Sequence, residues 1–234
     1  MKKGFILFVL AGLLSLTTYG QSMSSEERSV NDYSAISVSK GIDVILTNKS
    51  TSSGKIRIES NHQEVFSKVK TSVDKNTLNI TFESKSGNNY KNLKLKVYVP
   101  ADGINQITAS SGSDVNSQER LTFKDLEVSI SSGSDLELDL KADMITISMS
   151  GGSDAKLKGS TNHLKVKASG GSDLMTSGLK AKNADISMSG GSDADIYVTG
   201  TLNATLSGGS DLRYTGNPSD KNISADKSSD VKAK

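Results

Sequence analysis

Seven aspartates recur through the second half of the chain, at Asp114, Asp135, Asp154, Asp173, Asp193, Asp211 and Asp230, with spacings of 21, 19, 19, 20, 18 and 19 residues. Each closes a short Ser- and Gly-rich element, and together they are the only repeated ionisable feature. Stacked about 4.8 Å apart, neighbouring carboxylates would repel by about 1 kcal/mol in water and by several times that in a lower dielectric. Two chemistries could relieve the repulsion. Each Asp can accept hydrogen bonds from the backbone N–H groups of its own turn and from neighbouring Ser hydroxyls, giving a structural Ser/Asp ladder. Alternatively, Asp114, Asp135, Asp154, Asp173, Asp193 and Asp211 could bind calcium between coils, as the Gly-Gly-x-Gly-x-Asp turn of calcium-binding nonapeptide repeats does. The turn here has one Gly fewer and recurs once per period, which favours the structural ladder, with no cofactor.

Other chemistry is sparse. His62 and His163 lack metal-ligand spacing, and the absence of Cys excludes a thiol nucleophile. The many Ser and Asp residues are placed by the repeat, whereas a nucleophilic triad would need an oriented base. The sequence reads as non-enzymatic. The alternative class is a carbohydrate-active β-helix of polysaccharide-lyase type, betrayed by a cleft of convergent Asp, Lys or Arg beside an exposed Tyr. There is no Trp, and Tyr90 and Tyr197 are the aromatics expected at the surface.

The elements that must position the Asp column follow from its flanks. Numbered from each Asp, positions −9, −7 and −5 are Leu126, Val128 and Ile130 in one copy and Ile145, Ile147 and Met149 in the next, with polar residues between them. Such alternation marks a strand with one buried face. Position +1 is apolar or small in every copy, so a second short strand follows the Asp. The Gly residues turn the chain between the two. Antiparallel hairpins would not need the same Ser and Asp at fixed offsets, whereas stacked parallel coils do. The expected fold is all-β: a single-domain parallel β-solenoid of seven coils of about 19 residues, with a β-rich N-terminal cap. Lacking the six-residue repeat of left-handed helices, it is expected to coil right-handed.

Residues 1–20 read as a signal peptide: Lys2 and Lys3 precede an apolar run too short to span a membrane. Its removal leaves 26 basic against 26 acidic residues, a neutral protein without the Lys/Arg cluster of a nucleic-acid binder. Residues 21–32 are expected to be a flexible N-terminal segment, 33–104 the cap, and 105–234 the repeat solenoid. Within the cap, alternating strands are predicted at Ile36–Val38, Asp43–Leu46, Lys55–Glu59, Thr77–Phe82 and Asn92–Val99. A turn is predicted at Asp74-Lys75-Asn76, and one helical stretch over Asn61–Lys70 capped by Asn61. Ile36, Val38, Gly41, Asp43, Val44 and Leu46 fit the repeat offsets, so a degenerate coil should lie beneath the array.

The opening Tyr33-Ser-Ala-Ile36-Ser-Val38, the step Gly41-Ile42-Asp43-Val44, the strand Lys94-Leu-Lys-Val97-Tyr-Val99-Pro100 and the Ser-Gly-Gly-Ser-Asp coils together resemble the auto-transporter adhesin head GIN domain family, common in Bacteroidetes. The likeness spans residues from about 33 to 234. It implies an exported β-helix-like domain in the periplasm, at the cell surface or secreted, and it supplies no catalytic residues. The expected function is an adhesin-like surface binding or structural module acting through its solenoid faces. Its partner would be an extracellular or cell-envelope ligand, a glycan or a protein, with no nucleic acid and no transmembrane segment after signal cleavage. The last coil is the most degenerate and the chain stops four residues after Asp230. Lys221, Lys227, Lys232 and Lys234 are expected to block end-to-end pairing there, keeping the protein a monomer or small oligomer.

Overall fold

Every apolar triplet preceding an Asp forms a strand with those side chains inward, and from Asp135 onward each Asp itself opens the next strand. The computed structural model describes residues 23–48, 54–83, 90 and 92–234; the predicted signal peptide lies outside the described residues. Seven coils carry the repeats. Strands of successive coils are parallel and in register: Val128 pairs with Ile147, Ile147 with Val166, Val166 with Ile186, Ile186 with Ala204, and Ala204 with Ile223. Like therefore stacks on like, and the interior is a continuous column of aliphatic side chains.

The degenerate coil stands where the offsets put it. Ala35–Ser39 and Asp43–Thr47 stack on the first repeat coil, Ile36 against Ile107 and Val44 against Val115. A further coil lies beneath it, made of Thr77–Phe82 and Leu95–Pro100, with Ile36 paired to Leu78 and Val44 to Val97. The N-terminal coil is thus sandwiched between two coils that follow it in the chain.

Antiparallel strands close this end. Val69–Asp74 pairs with Thr77–Phe82, Lys55–Ser60 with Leu95–Pro100, and Ser24–Ser29 with Lys55–Ser60. Lys75 and Asn76 both have positive φ, 47° and 61°, the geometry of a tight two-residue hairpin at the predicted turn. The helical expectation shrinks to a 3-10 helix at Gln63–Lys68, because Val69 already belongs to a strand. Asn61 does not cap it. Its amide donates to the Asn92 carbonyl and its oxygen accepts from the Lys94 N–H, pinning the neighbouring segment instead.

Part of the segment expected to be flexible is ordered as the strand Ser24–Ser29. Arg28 explains this: its guanidinium donates to the Val69 carbonyl at 2.6 Å and the Phe66 carbonyl at 2.7 Å, and it pairs with Glu26 at 2.6 Å. One side chain ties the outermost strand to the 3-10 helix and to the strand after it.

Candidate binding faces

The corner between the two strands of a coil is built from two successive left-handed residues. Gly151 and Gly152 both sit at φ 67°, and in earlier coils Ser111 and Ser132 accept the same conformation at the first position. Glycine at that first position also answers a packing demand. A Cβ on Gly170 would stand 3.1 Å from the Gly151 nitrogen, so corners stack backbone to backbone. The hydrogen-bond ladder continues through them, with Gly152 N–H donating to the Gly170 carbonyl at 3.0 Å and Gly171 N–H to the Gly190 carbonyl at 3.0 Å.

Behind the corner the Ser preceding each Asp is fully buried, from Ser113 to Ser210. These hydroxyls satisfy the turn internally. Ser172, Ser192 and Ser210 each donate to the carbonyl three residues earlier at 2.9–3.0 Å, and Ser113 accepts from Gly41 N–H at 3.0 Å and Ile42 N–H at 3.2 Å. The Ser/Asp ladder expected from the sequence is therefore chiefly a Ser ladder, because the Ser points in and the Asp points out.

The aspartates do form a column, in register from Asp135 to Asp230, with Asp114 and Asp43 continuing it downward. Where a carboxylate accepts a backbone hydrogen bond the donor lies in the next coil: Asp135 N–H reaches Asp114 Oδ1 at 3.3 Å. Burial, then the neighbouring Asp charge, raises the Asp43 pKa; burial first also raises those of Asp114 and Asp154. Among the described residues no three acidic or His side chains converge as a metal-binding group. Ion pairs stand beside the column and at its last member: Lys156 pairs with Glu137 at 3.0 Å, Arg120 with Asp139 at 2.7 Å and Lys232 with Asp230 at 2.7 Å. Such exposed pairs contribute about 0–1 kcal/mol each. Among the described residues they flank the column without pairing Asp135, Asp154, Asp173 or Asp193, and the Asp173 and Asp135 charges help raise the Asp154 pKa.

The strand face before the corner is different in kind. Two outward ranks run along the stack, Thr108, Ser129, Ser148, Lys167 and Ser187 in one, Ser131, Ser150, Ser169 and Ser189 in the other. Between them lies a shallow groove of about 420 Å³. Its hydroxyls repeat at the coil spacing of about 4.8 Å. Those of Ser129, Ser148 and Ser187 make no hydrogen bond within the described residues.

The histidines and aromatics are also placed. His163 sits in a strand, with Nε2 2.7 Å from Asp185 Oδ2, while Asn203 donates to Asp185 at 2.7 Å. The Asn203 bond, then His163, lowers the Asp185 pKa. Tyr90, expected at the surface, is partly buried against Phe82 and His62, with ring centroids 6.3 and 5.8 Å away. Tyr197 is half-exposed. No helix among the described residues is long and apolar enough to cross a membrane.

A family model described as "Putative auto-transporter adhesin, head GIN domain" matches residues 32–218. No curated protein matches the chain. A solved structure of a putative adhesin from Bacteroides fragilis NCTC 9343 superposes with a TM-score of 0.83 at 19% identity, covering 92% of this chain and 98% of that one. A putative adhesin from Parabacteroides distasonis ATCC 8503 does so with 0.70 at 20% identity, covering 90% and 97%. A protein from the same strain, named a putative lipid binding protein, gives 0.61 at 16% identity, covering 90% and 96%. At these identities the likeness carries the fold.

Proposed function

The chain belongs to the putative auto-transporter adhesin head GIN domain family, and from that premise we propose that it is an exported, non-enzymatic binding module whose ligand lies along the hydroxyl-lined groove. The observation that carries this reading is the groove itself: a run of Ser and Thr hydroxyls, several without a partner among the described residues, on a face that no other described element covers. Hydroxyls at a fixed interval suit a ligand that repeats, such as a glycan chain or an extended polypeptide. A lipid is disfavoured by an interior already filled with aliphatic side chains, which among the described residues leaves no enclosed cavity for an acyl chain beneath the shallow groove. The opposite face is compatible with the non-enzymatic part, since Arg120 pairs with Asp139 and Lys156 with Glu137, and among the described residues its acids do not converge as a group. Export rests on the adhesin-type family and on the apolar N-terminal run.

The test is binding to a panel of glycans and matrix proteins. Paired substitutions Ser148→Arg and Ser187→Arg, which fill the groove without touching the core, should abolish capture of whichever ligand the parent protein binds while leaving the melting temperature unchanged. Undiminished capture by the paired variant would move the ligand off this face.

A further inference from the structure

The coils are not all the same length, and the mismatch creates a ledge on the third side of the rod. Thr176 pairs with Ile196, yet Lys180 pairs with Tyr197, so Ser177, Gly178 and Leu179 have no counterpart in the next coil. A bulge of this kind re-aims the side chains beside it. Directly after the bulge, Lys180, Ala181 and Lys182 line a cavity of about 330 Å³, at the lower end of the range for small-ligand sites.

Its lining is unlike either strand face. Lys141, Lys180 and Lys182 are exposed and make no ion pair among the described residues. The acid in the lining, Asp143, already accepts a hydrogen bond from Asn162 at 3.2 Å. Lys141, Ser160, Lys180 and Tyr197 are register neighbours, which puts Lys141 and Lys180 about 9.6 Å apart along the rod, two coil spacings. The aromatic is held in place: a Cβ on Gly216 would lie 3.1 Å from Tyr197 Cε1, so the ring rests against bare backbone.

We propose that this ledge is a second binding site, for an acidic sugar: a uronate or sulfated residue of a linear glycan. The partly buried Tyr197 ring, which lines the cavity, stacks under the apolar face of the sugar, as aromatic side chains with one wet edge do. The unpaired lysines take the acid groups, and Asn162 and Thr199 meet the ring hydroxyls. Lysines two coils apart fit a chain that carries its charge on alternate residues. A protein partner would need a far larger buried patch than this step offers.

The test uses the full chain passed over immobilised heparin and immobilised polygalacturonate. The parent protein should be retained at low salt and released as salt rises, because exposed charges are screened beyond about 8 Å at physiological ionic strength. Combining Lys141→Ser, Lys180→Ser and Lys182→Ser should weaken retention about tenfold, the loss expected of three screened contacts, with an unchanged melting temperature. Tyr197→Ala should weaken it without altering the salt dependence, and Tyr197→Phe should restore it. Retention on heparin alone assigns the sulfated class and on polygalacturonate alone the uronate class; both support the site. Failure of both resins, a triple variant retained like the parent, or single-stranded DNA bound as tightly through the same lysines would overturn it. The uncharged pair Ser148→Gln with Ser187→Gln separates the two sites: retention that survives it but falls in the lysine triple variant belongs to the ledge, and the reverse pattern overturns the ledge in favour of the groove. Release of an unsaturated uronide would keep the site and overturn the non-enzymatic reading.

Discussion

The two ends of the rod are built from the same coil and finished in opposite ways. At the N-terminal end the coil of Asp43 is covered by another coil and then by antiparallel strands, so Ile36, seven residues before its Asp, is 0% exposed. At the other end Ile223 holds the same position in the coil of Asp230 and is 39% exposed, and the strand around it, Asp220–Ala225, is exposed throughout. The repeat dictates which way a side chain points; only a neighbour on each side decides whether pointing inward means burial. In a stack where each coil contacts just its neighbours, stability is a sum of such interfaces.

The largest predicted effect tests that statement. Ile36→Asp places an unpaired carboxylate in a sealed interior and should cost about 4 kcal/mol or more, enough to lose the cooperative thermal transition of the cap. Ile223→Asp, the same change at the same repeat position, should cost well under about 1 kcal/mol, since water already reaches the site. Circular dichroism melts of the two variants decide the matter. Equal destabilisation would mean that the last coil is covered in solution.

These ends also differ in how far the sequence revealed them. The array was legible because its signal is local and repeated: alternation fixes the inward faces, and the Ser-Gly-Ser-Asp corner fixes the phase. The coil of Asp43 was legible through Gly41 and Asp43. The coil beneath it was not, because Lys96 stands where an Asp would, opposite Asp43, and its register is set by a neighbour far away in sequence. Among the candidate sites, the Asp column was read correctly as a column, but the internal hydrogen bonding belongs to the Ser before it. Both residues recur equally, and only the pleat separates inward from outward. The ledge left one trace in the sequence, a spacing of 20 followed by 18, whose meaning depends on which coil bulges.

A smaller effect concerns the open edge. Lys221 pairs in register with Leu202, so it occupies an interior column at the rim, and it and Lys227 are exposed. The other two lysines expected to guard this edge are drawn back along the Asp face, Lys232 to Asp230 at 2.7 Å and Lys234 to Asp195 at 3.0 Å. Of the four, Lys221 and Lys227 are the two whose charge is placed to oppose pairing of this edge with another strand. Lys221→Val with Lys227→Ser should promote end-to-end association, visible as rising light scattering at neutral pH. The matching pair on the drawn-back residues, Lys232→Ser with Lys234→Ser, should scatter far less. Fibres in the parent protein would sink the gatekeeper role.

The smallest effect separates the ends by pH. At the closed end, burial followed by the charge of Asp114 raises the Asp43 pKa. A carboxyl whose pKa is raised on folding binds its proton more tightly in the native state. Its contribution is fully favourable below the unfolded value of 3.8 and is lost as pH rises through the folded value. At neutral pH Asp43 therefore weighs against the fold, and Asp43→Asn should raise the melting temperature by about 1–2 °C, a modest gain because the residue is only partly buried. Near pH 3 the gain should vanish. At the open end Asp226 behaves oppositely. The Gly208 N–H, at 2.9 Å, and then the Ser228 and Ser229 hydroxyls lower its pKa to about 2. Its support is present above 3.8 and is lost as pH falls toward about 2. Asp226→Asn should lower the melting temperature at neutral pH and converge on the parent in strong acid. Two variants shifting in the same direction at neutral pH would show that the two ends share one electrostatic environment, contrary to the contrast between a sealed end and an open one.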